Sequence, residues 1–232
     1  MKVVILIPTR ESLPDPAAAF VRSTLEALRA GGHETFDPIV VEGGGIDHVR
    51  AELVCAGLKT AADVMWLVDD DVTLTHPEEL VRMIGVDCDV LAAPYLNRHT
   101  KNFFTIPVGD IERRGEVRIV ETATVTLGAT LVRRHVFEQM HADDRFADLR
   151  YDAVRTPGGK ACALFQPGVM SAKLLGDILS PARVYCGEDK MFCVRAHEAG
   201  FKLHASIDVE TNHRGLVGCL ADEITRGLRA CA

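Results

Sequence analysis

The chain has 232 residues, 47% of them hydrophobic and 25% charged, with a net charge of −7. This balance excludes a disordered chain and a general nucleic-acid binder, and the length sets one α/β domain as the first expectation. Seven cysteines, odd in number and with no C-x-x-C pair, argue against a disulfide framework or structural zinc and favour a reducing, cytoplasmic setting. The apolar runs VVILI and VMWLV are too short to span a bilayer, and the first lacks a small-residue cleavage site, so neither a transmembrane segment nor a signal peptide is expected.

In chain order, VVILIPT (3–9) reads as a buried strand. Ala17, Phe20, Val21, Thr24, Leu25 and Leu28 recur at helical spacing and Gly31-Gly32 stops that helix. PIVVEGGG (38–45) is a second strand, and Asp47 is placed to cap a helix carrying Val49, Leu53 and Ala56. DVMWLVDDD (63–71) is a third strand. THPEELVRMIG (75–85) is a helix with Thr75 as cap, and DVLAAPYL (89–96) is a fourth strand. Alternating strands and helices imply a mostly parallel sheet flanked by helices, which binds ligands beyond its strand ends.

Residues 100–135 then read as β-type segments, with a hairpin turn at 113–116. The stretch 141–185 lacks periodicity and is expected as a mobile loop within an acceptor-side half, 100–232, that follows a nucleotide-binding half, 1–99. A helix follows GED at 187–189, and FKLHASI (201–207) is expected as the last strand. The tail 216–232 places Val217, Leu220, Ile224 and Leu228 at helical spacing, a face for self-packing or for a homo-oligomer.

The chemistry concentrates in a few places. Asp69-Asp70-Asp71 ends an apolar strand, and carboxylates so placed suit Mg²⁺ or Mn²⁺. Strand alternation would turn Asp69 and Asp71 to one side and Asp70 to the other. Glu188 and Asp189 open a helix, where they either cap it or supply a general base. His213 gains meaning only if the fold brings it to the Asp cluster. Arg50 and Arg10 offer cations for phosphate, or are solvated surface residues. EGGGIDH is not a dinucleotide fingerprint, and no phosphate-binding P-loop occurs.

Taken in order, VVILIPTR, HVRAELVCAGLKTAADVMWLVDDDV, LAAPYLNR, TLGATLVRRHVFEQM and GEDKMFCVRAHEAGFKLHASIDVETNHRG resemble GT-A-type glycosyltransferases of the small, family-2-like kind. The resemblance implies a single α/β domain with a mostly parallel central sheet flanked by helices and a smaller β-rich acceptor-side part. It implies a nucleoside-diphosphate sugar as donor, an acceptor hydroxyl of unspecified class, and Mn²⁺ or Mg²⁺ as cofactor. By it Asp71, Asp69 and His213 would hold the metal. Pro8, Thr9, Arg10, Arg50, Asp69, Asp70, Gly128 and Ala129 would surround the nucleotide and sugar. Asp189, with Glu188 beside it, would be the base of an inverting transfer.

Two other readings stay open on these residues. DDDVT (69–73) fits the D-x-D-x-T signature of haloacid-dehalogenase-type phosphatases, with Asp69 as nucleophile, although there the motif ends the first strand. A binding module that keeps the nucleotide cleft without turnover is the non-enzymatic alternative. A sugar-nucleotide nucleotidyltransferase ranks third, after the glycosyltransferase and the phosphatase, because PTRESLPDP lacks its glycine-rich loop.

Overall fold

The computed structural model describes residues 1–97, 103, 105–171 and 183–221. Its centre is a nine-stranded sheet. The strand β1 (Lys2–Thr9) is followed by helix α1 (Asp15–Ala30), the short β2 (Glu34–Thr35), β3 (Ile39–Glu42), α2 (Ile46–Leu58), β4 (Val64–Val68), β5 (Val72–Leu74), α3 (Glu79–Ile84) and β6 (Val90–Ala92). Then come β7 (Ile106–Arg114), β8 (Val117–Thr124), β9 (Ala129–Arg133) and α4 (Arg134–Ala142). A 3-10 helix (Asp144–Leu149), β10 (Arg150–Asp152), β11 (Lys160–Cys162), β12 (Gly168–Ser171) and β13 (Arg183–Cys186) lead to α5 (Glu188–Glu198). The described chain closes with β14 (Leu203–Ser206), β15 (Thr211–His213) and β16 (Leu216–Gly218).

The sheet order is β2-β1-β4-β9-β6-β14-β8-β7, with β3 also paired to β1. The pairings make β1, β2, β3, β4, β6, β7 and β14 run one way, while β8 and β9 run against them. The sheet is therefore mainly parallel, as its alternating strands and helices suggested. Alternation along the strands feeds two cores. Val3, Ile5, Ile7, Val64, Trp66 and Val68 pack with α1 and α3, and Val4, Leu6, Met65 and Leu67 pack with α2, α4 and α5. Coverage on both faces explains why these strands are continuous apolar runs.

The six residues read at helical spacing in α1 are its six buried residues, and Gly32 takes φ 79° just past its end. The turn at Gly115 joins β7 to β8 as expected, with Arg114 opposite Val117. Other expectations need correction. Asp47 does not cap α2: Gly45 holds the N-cap position, and Asp47 lies in the first turn. Thr75 does not cap α3, because its backbone N–H is engaged by the Glu210 carbonyl and the helix starts only at Glu79. FKLHASI is not the last strand: β15 and β16 follow, and β15 pairs antiparallel with β5, placing His213 opposite Val72. Residues on both sides of 99/100 share one sheet, with β9 lying between β4 and β6.

The expected loop at 141–185 is instead structured over its described part, 141–171 and 183–185, which carries the end of α4, the 3-10 helix and strands β10 to β13. Phe165 is fully buried there and stacks on Phe192 at 5.4 Å, beside Phe137. The remainder of that stretch, and the Ile224 and Leu228 helix face, lie outside the described residues. None of the described helices is long and apolar enough to cross a membrane.

Phe165→Ala should cost about 3–5 kcal/mol, as for other fully buried aromatics. Urea denaturation reads this directly; a loss of only a few tenths would mean that the segment does not belong to the core.

Candidate active site

The strands β1 and β4 are parallel neighbours, so Thr9 and Asp69 emerge at the same sheet edge. Strand geometry stops at Val68, and Asp69–Asp71 form a turn closed by the Val72 N–H on the Asp69 carbonyl, 3.2 Å. Two-residue alternation therefore no longer governs the three carboxylates. They fan out to three different partners instead of sharing one.

Asp69 meets Arg50. The Nη2 of Arg50 donates to Asp69 Oδ1 at 2.9 Å and Oδ2 at 3.1 Å. Its Nη1 donates to Asp189 Oδ1 at 2.6 Å and to Glu188 Oε1 at 3.2 Å. Arg50 is only 2% exposed. It is buried because α2 packs against β1 and β3 and also against β11. The hairpin containing β11 is fixed to α2 by Glu52, whose carboxylate accepts the Val154 and Arg155 N–H groups. Burial alone would weaken the Arg50 charge, but Asp69, Asp189 and Glu188 more than offset it and raise its pKa.

In its partners burial outweighs the pairing. Burial raises the Asp69 carboxyl pKa, against the pull of Arg50. Burial likewise pushes Asp189 up to about 6, opposed by Arg50 and assisted by the Glu188 and Asp69 charges. An N–H from Leu127 steadies the ionised Asp189. Both acidic residues lie in the first turn of α5, behind the N-cap Gly187.

Asp70 accepts from the Thr9 hydroxyl at 2.7 Å, a hydrogen that Thr9 shares with the Glu11 carbonyl at 2.8 Å. Asp71 faces the C-terminal hairpin. Its Oδ2 lies 3.6 Å from His213 Nε2 and 2.9 Å from Arg214 Nε. His213 Nδ1 lies 2.7 Å from the Leu96 carbonyl, so Nδ1 carries the hydrogen. In the neutral ring the Nε2 lone pair then points toward Asp71. Such a lone pair facing a carboxylate oxygen suits a divalent cation, with phosphate and water filling the remaining positions. Both Asp69 oxygens accept from Arg50, so Asp69 is committed to the guanidinium while Asp71 faces His213. Among the described residues, no group of three or more His, Cys, Asp or Glu side chains is arranged to hold a metal.

The remaining expected residues divide. Gly128 abuts the cluster: its carbonyl accepts the Asp69 N–H at 3.0 Å, and a Cβ there would lie 2.5 Å from both Asp69 Oδ2 and the Tyr95 hydroxyl. Pro8 is a buried β1 residue paired with Val41, and Arg10 is exposed just beyond the strand. Ala129 is fully buried in the core shared with α1 and α3, paired with Val68 one residue before Asp69.

Two residues of the site were missed. Tyr95, buried between Asp69 and His213, packs edge-on against the His213 ring at 4.9 Å, and burial with the nearby carboxylates raises its pKa. Its place at the end of β6 was the available signal. Arg214 sits at φ 50° in the two-residue turn between β15 and β16, followed by Gly215 at φ 85°. Only the turn-like Arg-Gly pair hinted at it, and for a non-glycine residue that conformation costs about 1–2 kcal/mol.

No family profile matches the chain, and no curated protein does. Solved structures do. A mutant of the Drosophila β1,4-galactosyltransferase 7, in complex with manganese, UDP-Gal and xylobiose, aligns at TM-score 0.50 and 17% identity over 97% of this chain and 73% of that one. A protein from STIV aligns at TM-score 0.49 and 15% identity over 92% and 85% of the two chains. A CMP:2-keto-3-deoxy-manno-octonic acid synthetase complexed with CTP aligns at TM-score 0.40 and 15% identity over 99% of each. The fold is of the GT-A type.

Gly128→Ala should destabilise the protein by about 1–3 kcal/mol, because the new methyl must displace Asp69 or Tyr95. Thermal denaturation measures it. An unchanged midpoint would mean that the two side chains yield freely.

Proposed function

We propose that the protein is a glycosyltransferase that moves a sugar from a nucleoside-diphosphate sugar to an acceptor hydroxyl, with inversion. The observation that carries this reading is the buried Arg50, which joins Asp69 at the end of β4 to Glu188 and Asp189 at the start of α5. It gathers into one cleft the carboxylates that donor binding and base catalysis require. Its double hold on Asp69 also argues against Asp69 as a phosphatase nucleophile, which needs an uncommitted oxygen.

The charge of the cleft says what else is needed. Among the described residues of the cluster, Asp69, Glu188 and Asp189 pair with Arg50, Asp71 with Arg214 and Asp70 with the Thr9 hydroxyl, so there carboxylates outnumber guanidinium groups. A diphosphate would be repelled without a further cation. Asp71 and His213 would hold Mn²⁺ or Mg²⁺. Such an ion, when bound, neutralises charge on the diphosphate as it leaves.

The chain's own residues do the rest. As the acceptor oxygen bonds to the anomeric carbon and the bond to the diphosphate breaks, the acceptor proton passes to Asp189, or to Glu188 beside it. A carboxyl with a pKa of about 6 is mostly ionised at neutral pH, yet more basic than an exposed aspartate. Arg50 keeps it ionised and oriented. Gly128 leaves room for Asp69, and Thr9 orients Asp70 at the nucleotide side.

The test is a thermal-shift panel of UDP, GDP, CMP and dTDP, each with and without Mn²⁺. At least one nucleotide should stabilise the protein in a metal-dependent manner, and Asp71→Ala should remove the metal-dependent part; no stabilisation by any of them would overturn the reading. With a donor identified, kcat/KM should fall as pH drops through about 6, the value of Asp189. Asp189→Asn should lower kcat by about 10²–10⁴-fold. The anomeric configuration of the product, read by NMR, decides inversion.

A further inference from the structure

The turn between β15 and β16 consists of Arg214 and Gly215, both at positive φ. Two-residue turns of this kind favour asparagine, aspartate or glycine at the first position, so arginine is a strained choice there. The turn already has its own support, since the Asn212 side chain accepts the Gly215 N–H at 2.7 Å. What Arg214 adds is a cation aimed at the cluster. Its Nε donates to Asp71 Oδ2 at 2.9 Å, and its backbone N–H reaches the Asp71 carbonyl at 3.3 Å. The Asp71 oxygen that Arg214 holds is also the one that lies 3.6 Å from His213 Nε2. The Arg214 side chain is 57% exposed, so its far end is free to move on the solvent side.

We propose that Arg214 is a tethered cation with two successive partners. It neutralises Asp71 in the free protein, and once a divalent ion takes Asp71 it turns to the diphosphate of the bound donor. This rests on the glycosyltransferase reading. A divalent ion between His213 and Asp71 would draw on the Asp71 oxygen that the guanidinium holds, and the repulsion between the two cations would loosen the Arg214 contact there. The displaced guanidinium stays anchored by the hairpin beside the ion, where the phosphates of a metal-bound diphosphate lie. Its planar fork matches phosphate oxygens. The strained backbone places the side chain over the cleft. Glycine or asparagine would relieve the strain and lose that reach.

The experiment uses the full chain and two probes, Mn²⁺ alone and inorganic pyrophosphate with saturating Mn²⁺, both by calorimetry. Arg214→Asn places a residue the turn favours, so its melting temperature should equal or exceed that of the wild type. Without the competing cation, Arg214→Asn should bind Mn²⁺ alone about threefold tighter, the scale of a lost exposed ion pair. It should bind pyrophosphate at least about tenfold more weakly, the scale of a lost charged hydrogen bond. Arg214→Lys should recover part of the pyrophosphate affinity. If the wild type binds both probes and Arg214→Asn matches it on either one, this inference falls and the glycosyltransferase reading stands. If the wild type binds neither probe, both fall.

Discussion

A single buried guanidinium holds the cleft together. Arg50, on α2, faces Asp69 from β4 and the acidic pair that opens α5, and those elements are far apart in the chain. Three carboxylates at this separation, largely removed from water, would drive one another apart or take up protons without the cation. With it they form a fixed constellation whose acidity is tuned by burial. The cation is itself costly to bury, and the fold meets that cost by surrounding it. Asp69, Glu188 and Asp189 close round it on one side of α2, and on another side Glu52 pins the β10–β11 hairpin to the helix. Close packing follows around the cluster, where Gly128 has no room for a side chain and Tyr95 fills the space toward His213.

The second half of the site depends on a different device, the small sheet in which β15 pairs with β5. Asp71 and His213 are brought together because β5 starts one residue after the Asp turn and β15 ends at the histidine. The backbone ladder, with His213 opposite Val72, sets their separation before any side chain interacts. Leu96, at the end of the neighbouring β6 segment, then fixes the ring tautomer.

What could be read from the residues follows from range. The buried face of α1 was legible because helical periodicity is local, and the apolar strands were legible because both sheet faces are covered. The Asp cluster, Glu188, Asp189 and His213 were legible as chemistry, and their meeting as a group came only through the family resemblance. Their individual partners were not legible. Alternation assigned Asp69 and Asp71 to one side, yet the strand ends at Val68 and the turn breaks the period. Thr75 looked like a cap because nothing local announces that Glu210 will claim its N–H. Arg50 read equally well as a surface residue, since the groups that enclose it, Asp69, Glu188 and Asp189, come from other elements. The stretch holding Phe165 lacked periodicity because its aromatic contacts are to Phe137 and Phe192, made across elements.

The position of β9 carries a consequence for how the chain reaches this state. β9 runs antiparallel between β4 and β6, with Leu131 opposite both Trp66 and Leu91. A growing chain that has delivered its first hundred residues therefore holds two buried-type strands, β4 and β6, that cannot pair with each other. Their shared neighbour arrives some thirty to forty residues later, and β14, which covers the other side of β6, later still. The places that β9 and β14 fill beside β6 can close only after those strands are made, and until then the facing apolar edges of β4 and β6 stand open. The same insertion that lets one sheet carry residues from both ends of the sequence to one cleft thus makes this protein's assembly a matter of the whole chain, with the interval before β9 docks as its most aggregation-exposed moment.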